Sequence, residues 1–165
     1  MAWGKLTSKT LTGASATITT DVITTPKKFN IILDNRLDAS SSNNNHWRFG
    51  SGSVDTGSNY AYRNSTNGGA DGTGTSSTDI QGHIGGGAEP NFGITYFINI
   101  TTEEKLFINF LIRQNTAGAG TAPQRSEMVG KWVNTSNQAN IFQGKSDDGI
   151  KTYAVDSNLT VIGTD

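Results

Sequence analysis

The run Lys105–Arg113, Lys-Leu-Phe-Ile-Asn-Phe-Leu-Ile-Arg, is the most apolar stretch of the chain and the one that most restricts its fold. Read with period two, Leu106, Ile108, Phe110 and Ile112 share one side. Phe107, Asn109, Leu111 and Arg113 share the other. Successive side chains of a strand point to opposite faces, so one face is wholly apolar and the other mixed. A helix would set Asn109 near the middle of its apolar face, and the β-branched and aromatic residues favour a strand. The expectation is a central strand of a β-sandwich, with apolar side chains turned inward.

The flanking chain repeats this pattern. Residues 28–37 set Phe29, Ile31 and Leu33 on one face, with Asn30, Ile32, Asp34 and Arg36 opposite. Residues 93–100 set Ile94, Tyr96, Ile98 and Ile100 on one face, and 101–104 turn them into the central strand as an antiparallel hairpin. Trp47 and Phe49 flank Arg48 in a short strand, and 59–63 carry Tyr60 and Tyr62 on one side. In 126–134, Met128, Gly130 and Trp132 alternate with Val129, Lys131 and Val133. Residues 140–143 and 159–162 read as closing strands.

The ends and the loops are less regular. Residues 5–25 read as a first hairpin that turns at Gly13-Ala14-Ser15 and is ended by Pro26, which cannot donate to a ladder. Residues 1–12 read as an edge strand or as an arm that docks on a neighbouring subunit. Residues 64–90 are rich in Gly, Ser, Thr and Asp and read as a long surface loop, with one short strand at 80–84. The sum is a single all-β domain, 1–165, an antiparallel β-sandwich of jelly-roll type with about eight to ten short strands.

Composition narrows the function. Only 33% of the 165 residues are hydrophobic, yet net charge is −1 and the apolar residues cluster in alternating runs, which fits a loop-rich β domain better than disorder. Near-neutral charge argues against a nucleic-acid partner. No apolar run approaches the roughly 20 residues of a membrane span. The first residues, Met-Ala-Trp-Gly-Lys-Leu-Thr, lack a signal-peptide core, so synthesis in a cytosol is expected. Cysteine is absent, which excludes disulfides, Cys-ligated zinc and thiol nucleophiles.

Motifs for chemistry are sparse. The two histidines, His46 and His83, read as surface or loop residues, because no nucleophile motif surrounds a serine. Asp71, Asp79, Glu89, Glu103 and Glu104 read as loop residues, and none sits on an apolar strand, where burial would tune it for acid catalysis. The segment bounded by Asp71 and Asp79 offers oxygen ligands for calcium but lacks the Asp-x-Asp-x-Asp-Gly pattern. The Gly-rich stretches 67–74 and 82–87 are followed by no Gly-Lys-Ser/Thr. No cofactor, metal or catalytic residue is assigned, and the expectation is a protein that is not an enzyme. Aromatic rings remain. Trp47 and Trp132 read as core, while Trp3, Tyr60 and Tyr62 are candidates for partner contact or for stacking on sugar in a lectin-like site.

Three stretches together carry a resemblance: Lys-Phe-Asn-Ile-Ile-Leu-Asp-Asn-Arg at 28–36, Trp-Arg-Phe-Gly-Ser-Gly-Ser-Val-Asp-Thr-Gly-Ser-Asn-Tyr-Ala-Tyr-Arg at 47–63, and Gly-Lys-Trp-Val-Asn-Thr-Ser at 130–136 with Ser-Asn-Leu-Thr-Val-Ile-Gly at 157–163. Their order resembles small virion structural proteins of tailed viruses of bacteria and archaea. The resemblance implies a jelly-roll fold and a place on the particle exterior, as capsid decoration, head fibre or tail attachment protein. On this reading the partners are further copies of the chain and other virion proteins such as the major capsid protein; host surface glycans belong to the alternative, a carbohydrate-binding, lectin-like surface domain. The resemblance transfers no catalytic residues.

Overall fold

The computed structural model describes residues 2–37, 44–82, 89–147 and 149–165. Within them the chain forms β-strands and no helix. The strands are β1 (Gly4–Thr10), β2 (Thr17–Thr19), β3 (Phe29–Asn35), β4 (Asn45–Ser51), β5 (Ser53–Val54), β6 (Tyr60–Thr66), β7 (Gly72–Ser77), β8 (Ile80–Gln81), β9 (Asn91–Ile98), β10 (Lys105–Arg113), β11 (Gln124–Trp132), β12 (Ile141–Ser146) and β13 (Asn158–Thr164). All pairings are antiparallel, in an eight-stranded sheet ordered β1-β13-β3-β9-β10-β11-β6-β7 and a smaller sheet ordered β2-β12-β4-β5, with β8 also on β4.

The two sheets pack face to face. The large sheet contributes Ile32, Phe97, Phe107, Met128, Trp132, Leu159 and Val161 to the core; the small one contributes Ile18, Trp47, Phe49 and Phe142. Phe49 is the hub, with the Phe97 ring centroid 4.6 Å away and those of Phe142 and Phe107 at 5.8 and 5.9 Å. Tilted and edge-on rings at these distances suit their quadrupoles and fill the roughly 10 Å gap between stacked sheets. Trp47 and Trp132 are core residues, as their alternation indicates.

Several expectations are corrected. Residues 5–25 do not make a hairpin: β1 pairs with β13 in the large sheet, and β2 pairs with β12 in the small one. The chain crosses between sheets at 11–16, where Leu11 packs against the core and Ser15 bridges to Tyr153. Within 1–12, β1 lies at the edge of the large sheet. The strand count exceeds ten partly because 64–82 holds more strand than expected. β6 runs on to Thr66, and β7 extends the sheet edge with no apolar residue, paired to β6. Gly74 suits it, because a Cβ there would run into the Tyr62 ring. Ile84 and His83 lie outside the described residues.

The largest correction concerns which way the central strands face. In β10 it is the mixed side, Lys105, Phe107, Asn109, Leu111 and Arg113, that is buried. Leu106, Ile108, Phe110 and Ile112 point outward and keep 46–51% of their surface exposed. β9 likewise buries Asn91, Gly93, Thr95 and Phe97 and turns Ile94, Tyr96 and Ile98 outward. β3 buries Asn30, Ile32 and Asp34 and turns Phe29, Ile31 and Leu33 outward. Two of the inward polar groups on β10 find close partners. Asn109 Nδ2 donates to Thr95 Oγ1 at 2.7 Å across the β9–β10 pair. Lys105 Nζ donates to the carbonyls of Glu103, Asn134 and Thr101 at 2.6, 2.7 and 3.3 Å.

Candidate functional site

Three adjacent strands thus carry their more apolar side on the surface, and antiparallel register sets these sides in one continuous patch. Ile108 lies beside Tyr96 on one flank and Val129 on the other. Nine large apolar side chains of β3, β9, β10 and β11 are each about half exposed. At roughly 100 Å² apiece they present on the order of 900 Å², where the largest patch of an ordinary monomer is about 300–600 Å². The patch is bounded on one side by charge: Arg125, Glu127 and Lys131 of β11 and Arg63 of β6 all point outward. Beside Ile108 the surface dips into an apolar hollow of about 470 Å³, walled by Tyr96, Leu106 and Val129, with the small Ala61 at its margin.

The outer face of the small sheet is built the other way. His46, Arg48, Gln143 and Lys145 point outward from β4 and β12, and Asp79 closes over them. His46 Nδ1 and Lys145 Nζ each lie 3.1 Å from an Asp79 carboxylate oxygen, and Arg48 lies 3.8 Å from it. Burial works to raise the Asp79 pKa, but the His46 hydrogen bond and the positive charge around it outweigh this and hold the carboxyl below its ordinary value. His46 is therefore neither a loop nor a surface histidine: it sits in β4 and is 5% exposed. A histidine joined to an acid is two parts of a nucleophile-activating set. Among the described residues no hydroxyl is bonded to the ring, and the acid is shared with Lys145 and Arg48. The arrangement reads as a clamp fastening the chain before β8 onto the small sheet.

A second ion pair lies wholly inside. Arg36 Nη2 donates to Asp34 Oδ2 at 2.8 Å, and the guanidinium stacks 4.6 Å from the Trp47 ring centroid. Gly93 faces Asp34 across β3 and β9, and Gly144 lies under the guanidinium; a Cβ at either would collide with the pair. Burial pushes the Asp34 carboxyl up, and Arg36 offsets this only in part. The pair is an internal brace.

The residues singled out in the sequence scatter over these regions. Trp3 is half exposed at a corner of the apolar patch, beside Phe29, Tyr96 and Ile98. Tyr60 is 1% exposed, and its hydroxyl is held by Phe49 N–H at 3.0 Å and the Phe49 and Asp55 carbonyls at 2.8 and 2.9 Å, so its ring is not offered to a sugar. Tyr62, on the same side of β6, is partly buried against the core. Asp71 is exposed and paired with Arg63 at 2.9 Å, whereas Asp79 is buried in the clamp. The two acids are thus each engaged by cationic side chains. Among the described residues no three His, Cys, Asp or Glu side chains gather as metal ligands, and no helix is long and apolar enough to cross a membrane. The patch itself was visible in the sequence as three apolar faces; its outward direction was not. No family model, curated protein or solved structure matches the chain.

Proposed function

We propose that the chain is a non-enzymatic structural protein of a virus particle's exterior, a sandwich of the jelly-roll kind that works by binding other protein surfaces. The observation that carries the assembly part is the apolar outer face of the large sheet. A face of this size left in water favours association, at about 25 cal/mol for each Å² removed from solvent. What supports the virion part is the resemblance of 28–36, 47–63, 130–136 and 157–163 to virion proteins. On this reading the partners are further copies of the chain and other particle proteins such as the major capsid protein. The sandwich gives a stiff frame, and the polar surface of the small sheet faces away from the contact. The test is to purify particles of a virus that encodes the chain and to measure its copy number by quantitative mass spectrometry. Many copies per particle, reached by antibody on intact particles, are expected. A chain missing from the particles overturns the virion reading.

A further inference from the structure

The outer face of the large sheet is a lattice whose rows run across the strands. Its middle row is Val129, Ile108, Tyr96, Ile31 and Ile162. The row on one side is Glu127, Phe110, Ile94 and Leu33; the row on the other is Lys131, Leu106, Ile98 and Phe29. Column by column the flanking rows correspond, three apolar residues and one charge in each, and the two charges have opposite sign.

We infer that this face is an isologous interface, in which two copies of the chain stack large sheet on large sheet about a two-fold axis along the middle row. The inference rests on the assembly reading above and not on its virion part. Rotation about that axis lays each flanking row on the opposite row of the second copy. Glu127 meets Lys131 of the second copy, and the reverse contact repeats it. Phe110 covers Leu106, Ile94 covers Ile98, Leu33 covers Phe29, and Ile108 meets its own equivalent. An isologous contact demands this reciprocity. Aligned sheets pack about 10 Å apart with interdigitating side chains, and the hollow beside Ile108 gives an opposing side chain somewhere to enter.

The area agrees. On the order of 900 Å² matches the roughly 800 Å² per partner of a stable specific complex. Charge agrees as well: like charges would meet if β11 lay on itself without the reversal, whereas the two-fold sets acid on base, beside the Glu104 and Arg125 that pair with Lys131 and Glu127 within the chain at 2.7 and 3.7 Å. Arg63, at the end of the middle row, carries Asp71 as its own counterion at 2.9 Å. Other occupants fit less well. An acidic lipid surface would select a uniformly basic rim, and Glu127 breaks this one. A small ligand needs a cleft that encloses it, and this face is open.

Sedimentation of the full-length chain over a range of concentrations tests the proposal. The wild-type chain is expected to be a dimer. Ile108→Lys should weaken it at least about a hundredfold, since the change is felt twice at the axis. Val22→Lys, at an exposed apolar site off the patch, should leave it unchanged. Glu127→Lys and Lys131→Glu should each weaken the dimer about threefold or more, and the double variant should regain the wild-type affinity. The chain has no cysteine, so Ile108→Cys alone should form a disulfide-linked dimer on oxidation. If Ile108→Lys fails to fold by circular dichroism, the charge exchange and the disulfide decide. A dimer indifferent to these changes overturns this interface while leaving the assembly reading in place. A wild-type chain that stays monomeric, or that binds phosphatidylcholine vesicles as a monomer, overturns the inference; copy number in particles then judges the wider reading separately.

Discussion

The two outer faces of this sandwich obey opposite rules. The small sheet shows the solvent Thr19, Gln143, Arg48 and Lys145, with Asp79 neutralising the cations that crowd its far end. The large sheet shows Phe, Tyr, Leu and Ile in adjoining columns. One chain in one solvent has made both, so hydrophobic burial within the chain cannot be the only selection on side-chain placement. The small sheet is finished as a surface. The large sheet carries on its outside the kind of side chains an interior is made of.

That contrast can be tested, beginning with the largest effect. Phe49→Ala should cost about 3–5 kcal/mol, because the rings of Trp47, Tyr60, Phe97, Phe107 and Phe142 all pack on it. Phe110→Ala, measured in protein dilute enough to be monomeric, should cost under about 1 kcal/mol, as expected for a half-exposed side chain. Urea midpoints compare the two, and equal losses would mean that the outer face is covered within the chain itself.

The polar face should be sensitive to charge. Asp79→Asn leaves His46, Lys145 and Arg48 facing one another without an anion and should cost about 3 kcal/mol. The sign with pH follows from the lowered pKa of Asp79. Below its unfolded value near 4 the unfolded chain binds the proton first, so the carboxylate's contribution is full above about pH 5. It is lost as pH falls through the folded value. Unfolding free energies of wild type and Asp79→Asn should therefore converge toward acid pH; parallel curves would remove Asp79 from the clamp. The smallest effect belongs to the margin of the apolar patch. Asp71→Ala opens an exposed pair with Arg63 and should move stability by no more than about 0.5 kcal/mol, read from the same urea midpoints.

Much of the fold was legible in residue alternation. Period two located β3, β9, β10, β11 and the closing strands, and Trp47 and Trp132 in the core followed from it. What alternation supplies is two faces without a label for the inner one. In β10 the label was set by partners far away in sequence: Thr95 for Asn109, and the Asn134 carbonyl for Lys105. Composition also hid β7, since ladder bonds ask nothing of its side chains, and Gly and Ser read as loop. The same blindness misplaced Tyr60 and His46. Nothing near Tyr60 in sequence announces that Phe49 and Asp55 will enclose its hydroxyl, or that Asp79 will come to His46 from 33 positions away.

The inverted β10 has a consequence for how the chain finds its native pairing. A slip of one residue against β9 would swap every side chain of β10 between faces. Leu106, Ile108, Phe110 and Ile112 would then go inward, and greasiness alone favours that error. Two devices oppose it: the Lys105 ammonium, bound by the turn carbonyls of Thr101 and Glu103, and the space at Gly130 that receives the Phe107 ring. A second copy would add a third, by giving the outward row a dry home only in the correct alignment. Proofreading of the hairpin and docking of the subunits would then be one thermodynamic act, and a chain kept from its twin should misfold more often.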